Sequence, residues 1–93
     1  MIRSFKNKET EKVFSRAYSR KLPQSIQQTA YRKLRMINNS INLEDLRIPP
    51  ANRLEKLKGS RKGQYSIRIT QQWRICFEWA DGDAYNLKIT DYH

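Results

Sequence analysis

One cysteine, one histidine, three glycines and three prolines in 93 residues exclude several kinds of protein at once. With Cys76 alone, no intramolecular disulfide can form, and the expected compartment is the cytoplasm. One thiol and one imidazole also fall short of the roughly four ligands of a zinc site. No metal and no cofactor are therefore expected. No run approaches the ~20 apolar residues of a membrane span. The segment Met1-Ile2-Arg3-Ser4-Phe5-Lys6 lacks the apolar core of a signal peptide. Acidic residues are scarce too: nine Asp and Glu stand against 19 Lys and Arg, for a net charge of +10.

That surplus is the first positive signal. A sequence pI near 10.1 exceeds what solubility needs and is the electrostatic footprint of phosphate binding. The cations are not gathered on one amphipathic helix, which argues against a membrane-surface role. The expected partner is nucleic acid or the ribosome. With 38% hydrophobic and 30% charged residues the chain is globular rather than disordered. Its length supports one core and one domain, residues 1–93.

Periodicity divides the chain into helices followed by strands. Ile2 to Phe5 reads as a short first strand. Asn7 is a helix N-cap, and the helix is expected to run to about Ser19 with Phe14, Ala17 and Tyr18 on one face. Leu22-Pro23 stops it, and Pro23 suits the first turn of a second helix. There Ile26, Ala30, Leu34, Ile37 and Ile41 recur at helical spacing as a buried stripe, with Lys33 and Arg35 on solvated surface. Pro49-Pro50 forbids regular structure in the connection that follows. From Arg53 the period becomes two. Arg53 to Lys58 reads as a strand with a bulge near Glu55-Lys56. Gln64 to Thr70 alternates Tyr65, Ile67 and Ile69 against polar residues, and Trp73 to Trp79 does the same. Asp81-Gly82-Asp83 is a hairpin turn, after which Tyr85, Leu87 and Ile89 line the last strand. The expected class is α+β: two N-terminal helices on one face of a twisted, mostly antiparallel sheet of four to five strands.

If the apolar residues face the helices, Arg68 and Arg74 face outward on adjacent strands. Arg53, Lys56 and Lys58 come from the neighbouring strand, and Arg61 and Lys62 from the loop after it. Together they would form a cationic face for a phosphate backbone. The plain alternative is a solvated sheet face. The terminal Asp91-Tyr92-His93 places a carboxylate, a phenol and an imidazole on consecutive residues, the groups acid–base chemistry uses. A terminal histidine is more often inert; the strand before it would anchor this one. Glu55 is the second candidate, weighed against a surface ion pair with Lys56 or Arg53. Trp73, Trp79, Tyr65 and Phe77 fall on the apolar face as core. Tyr85 and Tyr92 are better placed to stack on bases. Cys76 reads as a small inert filler.

Taken in order, several segments resemble one family. Ile2-Arg3-Ser4-Phe5, Leu46-Arg47-Ile48-Pro49-Pro50, Asn52-Arg53-Leu54-Glu55, Leu57-Lys58-Gly59, Tyr65-Ser66-Ile67-Arg68, Trp73-Arg74-Ile75 and Asp91-Tyr92-His93 resemble the HigB branch of the RelE/ParE toxins of bacterial toxin–antitoxin pairs. The resemblance spans the chain. It implies the RelE-like fold and an endoribonuclease that cuts messenger RNA in the ribosomal A site and so inhibits translation. It also implies a HigA-like antitoxin partner with a helix-turn-helix domain. Asp91, Tyr92 and His93 match the family's catalytic residues directly. Where some members have a histidine before the Leu-Lys-Gly stretch, this chain has Glu55.

The chemistry expected needs no metal, because RNA carries its own nucleophile. A base (Asp91 or Glu55) removes the 2′-OH proton and His93 protonates the leaving 5′-oxygen. Arg68, Arg74 and Lys58 stabilise the added charge, and Tyr92 orients or stacks a base. Two rivals use the same fold: a ParE-like inhibitor of DNA gyrase without nuclease activity, and a catalytically silent RNA- or ribosome-binding module. Self-repulsion at this charge favours a monomer when free.

Overall fold

The N-terminal segment runs parallel to the last strand of the sheet and is tied to it by backbone hydrogen bonds, Arg3 N to Ala84 O and Lys6 N to Leu87 O, both 2.8 Å. This computed structural model describes residues 1–58 and 63–91. The expected first strand is thus two isolated bridges, at Ile2 and Phe5.

Helix α1 spans Lys8–Phe14. Asn7 Oδ1 accepts from the Thr10 backbone N–H at 2.9 Å, as an N-cap should. The helix is about a turn shorter than expected. Arg16 adopts a left-handed backbone, φ 63°, and the Arg16 and Ala17 N–H groups bond back to Val13 O and Lys12 O. That is the Schellman ending, here with arginine where glycine usually sits. Tyr18 consequently lies outside the helix and exposed.

Helix α2, Gln24–Asn39, follows its predicted stripe: Ile26, Ala30, Leu34 and Ile37 are buried. Ile41 is not on it. The helix ends at Asn39, Ser40 Oγ donates to Met36 O, and Ile41 is 77% exposed. Lys33 corrects the sequence reading in the other direction, since it is buried. Two short 3-10 turns, Leu43–Leu46 and Pro50–Asn52, connect α2 to the sheet. The second uses Pro50 in its first turn, where the missing N–H costs nothing.

The sheet is an antiparallel meander in the order β1 (Glu55–Lys56), β2 (Gln64–Arg68), β3 (Trp73–Ala80), β4 (Asp83–Asp91). Asp81 and Gly82 both have positive φ, as a tight primed hairpin turn requires. Strand β1 is two residues long and the bulge expected there is absent. The irregularity lies instead between Cys76 and Glu78 of β3, opposite Asn86, whose φ is 54°. The extra residue changes the phase of β4. Leu87 and Ile89 face the core, whereas Tyr85 pairs with Glu78 on the opposite face.

One face of the sheet packs on the helices through Ile67, Ile75, Phe77, Leu87 and Ile89, against Val13 and the α2 stripe. Each such fully buried aliphatic or aromatic side chain contributes about 1.5–3 kcal/mol over its exposed state. Trp73, Trp79 and Tyr65 pack around this core, as expected. At the edge of β4 the Ile89 N–H donates to Thr10 Oγ1 at 3.0 Å, so α1 takes over where the N-terminal segment leaves.

Candidate active site

The other face of the sheet carries the polar alternates. Arg68 of β2 lies directly opposite Arg74 of β3, and Ser66 opposite Cys76. Across β4, Arg74 pairs with Thr90 and Cys76 with Lys88. Cross-strand partners share a face, so Arg68, Arg74, Lys88 and Thr90 are neighbours on one surface.

Arg74 is the centre of this arrangement, and it differs from the expected solvated cation. Its side chain is 8% exposed. Nε donates to Ser66 Oγ at 2.8 Å, and Nη2 donates to Ser66 O at 3.2 Å and to Arg53 O at 2.5 Å. Such multiple, planar donation is what a guanidinium offers and an ammonium does not. The Arg53 carbonyl can be reached because Arg53 is left-handed, φ 43°, directly after the 3-10 turn. Glu55 of β1 presents Oε1 3.9 Å from Arg74 Nη1. The ion pair expected for Glu55 with Lys56 or Arg53 is replaced by this one.

Arg53 and Glu55 are held from behind by a buried polar relay. Asn52 is fully buried; its Nδ2 donates to Leu46 O at 3.0 Å and its Oδ1 accepts from Lys33 Nζ at 2.5 Å. Burial lowers the Lys33 pKa from the ordinary lysine value, and Arg32 beside it acts in the same direction. The relay ties α2 to the turn that aims Arg53 and Glu55.

The remaining candidates divide. Glu55 pairs in register with Ser66 and shares its face; Lys56 pairs with Tyr65 and takes the opposite one. Lys58 is exposed after β1. Asp91 pairs with Trp73, which by the pleat puts it on the helix side rather than beside Arg74, and its Oδ2 accepts from Gln72 Nε2 at 3.1 Å. Tyr92, His93, Arg61 and Lys62 lie outside the described residues. Two cations were missed by sequence reading. Lys88 was legible, since it alternates with the inward Leu87 and Ile89. Lys6 was not, because its place beside Lys88 depends on the parallel N-terminal pairing; both border a small polar cavity of about 90 Å³ with Cys76 and Thr90. Among the described residues no group of three or more His, Cys, Asp and Glu side chains could hold a metal ion. No helix among them is long and apolar enough to cross a membrane.

Two helices on one side of an antiparallel sheet, with cations on the other side, define a RelE-like protein. Residues 3–93 match the family of HigB-like toxins, the RelE-like toxins of the type II toxin–antitoxin system HigB, and the chain belongs to that family. It is 41% identical over 90 residues to Toxin HigB-1 of Vibrio cholerae serotype O1, covering 96% of this chain and 95% of that one. It is 33% identical over 93 residues to Endoribonuclease HigB of Proteus vulgaris, covering both in full. YafQ from E. coli strain BL21(DE3) has the same fold, with a TM-score of 0.60 at 16% identity over 98% of this chain and 91% of that one. So does the YoeB dimer from Staphylococcus aureus, with a TM-score of 0.58 at 21% identity over 99% and 94%. As a toxin of a toxin–antitoxin pair, the protein has a cognate antitoxin as partner.

Proposed function

We propose that this toxin is a cytoplasmic endoribonuclease, built as a single domain, that cuts messenger RNA on the ribosome through the substrate's own 2′-hydroxyl. The observation that carries this reading is the pair Arg68 and Arg74 facing each other across β2 and β3, with Glu55 3.9 Å from Arg74 at the open edge. Directly opposed like charges destabilise a sheet, and an anion between or beside them removes the penalty. A phosphodiester is such an anion. The name of the Proteus vulgaris relative, Endoribonuclease HigB, supports the same reading.

In this mechanism Glu55 is the base that takes the 2′-OH proton. Arg74, fixed by Ser66 and Arg53, holds the Glu55 carboxylate in place and contributes positive charge behind the phosphate. Arg68 and Lys58 meet the charge that grows on the phosphoryl oxygens. His93, which the resemblance matches to a catalytic residue of the family, is in this mechanism the acid that protonates the 5′-oxygen, and Tyr92 orients a base. Asp91, the last residue of β4, is fixed there by Gln72.

The antitoxin of this reading is HigA-like with a helix-turn-helix domain, and the free toxin is a monomer. The runner-up, gyrase inhibition, has no use for a base and an acid around a paired-arginine site. Induction of the toxin in cells tests the two. Translation arrest with truncated messages supports cleavage; a DNA-damage response with intact messages supports the rival.

A further inference from the structure

Because β1 begins at Glu55, the partner of Ser66, the edge of β2 beyond Ser66 has no strand beside it among the described residues. A groove of about 650 Å³ opens there, between the end of β2, the Pro50–Asn52 turn and the middle of α2. Arg32 and Lys33 line it from α2, Arg53 from the turn and Arg68 from β2, with Thr29 and Thr70 at its sides. Arg68 also belongs to the cationic sheet face, so the groove is continuous with the proposed cleavage site.

Among the described residues the charge in this groove is uncompensated. No described carboxylate lines it, and among the described residues none of its four cations forms an ion pair. Arg32 Nη2 reaches Thr29 Oγ1 at 3.4 Å, and Lys33 Nζ reaches Asn52 Oδ1. An ammonium carries three donors and a guanidinium five, so these contacts use a small share of the capacity. The Lys33 ammonium is buried and next to Arg32, an arrangement that an anion would relieve. Beside Pro50, Ala51 and Ile69 the groove presents hydroxyls, guanidinium forks and an ammonium, the donor set that tracks a sugar-phosphate backbone.

We infer that this groove is a second phosphodiester-binding site, in which Arg32, Lys33, Arg53 and Thr29 hold RNA backbone on one side of the phosphate being cut. It rests on the cleavage reading above for the direction of the strand, not for its chemistry. The phosphodiester could belong to the message or to ribosomal RNA. An acidic segment of the antitoxin is the competing occupant. It is disfavoured because the groove's cations continue into the site meant for RNA.

The test is the salt dependence of binding, using a 2′-O-methyl oligoribonucleotide that the proposed chemistry cannot cut. Arg32 is exposed on α2, so Arg32→Gln should fold. Arg20→Gln removes the same charge away from the groove and is the control. The expected result is a slope of log K against log salt smaller by ~0.7 for Arg32→Gln, with the wild-type slope for Arg20→Gln. The same change seen on the free oligonucleotide assigns the groove to the message; seen on vacant ribosomes alone, it assigns it to ribosomal RNA. Equal slopes for the two variants on both probes overturn the inference. So does weakened antitoxin binding by Arg32→Gln with RNA binding unchanged. A toxin that leaves unmodified message uncut but shows the slope change loses the cleavage reading and keeps the groove; cutting with unchanged slopes does the reverse.

Discussion

Arg74 and Ser66 form a diagonal pair across β2 and β3, with the guanidinium donating to both the hydroxyl and the carbonyl of the serine. Through the same guanidinium Arg74 also reaches Arg53 O and faces Glu55. One side chain thereby links the second strand, the turn before the first strand and the candidate base. A cation with this many fixed contacts is pre-organised, which is what stabilising a developing charge requires.

The first expectation concerns that fork. Arg74→Lys keeps the charge but cannot bond Ser66 and Arg53 together. Message cleavage by this variant, measured with purified translating ribosomes, is expected to fall by ~10²-fold or more. A melting curve on the same sample checks that the domain still folds. Cleavage within a factor of two of wild type would show that charge alone suffices there.

His93→Ala tests the proposed acid. Cleavage should drop by ~10²-fold or more while ribosome binding stays at the wild-type level. Loss of both together would mean that His93 is a binding residue.

Asn52→Leu removes a buried amide that satisfies Leu46 O and Lys33 Nζ. An ammonium left buried without its acceptor is expected to cost about 2–3 kcal/mol of stability, read from urea denaturation. The same variant should lose cleavage, because the Asn52 turn aims Arg53 and Glu55.

Acid should destabilise the fold through three carboxylates. Against the opposing effect of its partial burial, Asp83 is held below the ordinary aspartate range by Arg3 and the N-terminal ammonium. A hydrogen bond from the Ser19 hydroxyl holds Glu9 below the ordinary glutamate range, against burial and with help from Lys12. Backbone N–H groups of Asn42 and Ile41 do the same for Asp45. A folded-state pKa below the unfolded one gives stability that is present above about pH 4.5 and lost as pH falls through the folded values. The melting temperature should therefore decline from pH 5 to pH 3, and more shallowly in Glu9→Gln. An unchanged slope in that variant would remove Glu9 from the account.

Much of this architecture was legible because periodicity reports burial directly. The α2 stripe from Ile26 to Ile37 and the inward rows of β2 and β3 follow from spacing alone. What escaped has identifiable physical causes. The end of α1 carries arginine rather than glycine at its left-handed residue, and Arg16 is held there with its guanidinium 4.4 Å from the centre of the Tyr31 ring. The bulge at Asn86 looks like an ordinary polar strand residue, so the outward turn of Tyr85 could not be anticipated. Lys33 reads as surface from its charge, although it stands seven residues after Ile26 and three after Ala30, on the buried stripe; only the folded chain brings Asn52 to it. At the candidate site, the cationic face around Arg68 and Glu55 was readable. The burial of Arg74 was not, because it depends on a carbonyl twenty-one residues away.

The central claim is that the RNA's own 2′-hydroxyl attacks the scissile phosphate. It is tested most directly by giving the purified toxin a ribosome-bound message with a single 2′-O-methyl group at the mapped cut. The account expects cleavage of the unmodified message, with a cyclic 2′,3′-phosphate on the upstream product and a free 5′-hydroxyl on the downstream one, and no cut at the methylated position. Cleavage at that methylated nucleotide would contradict it.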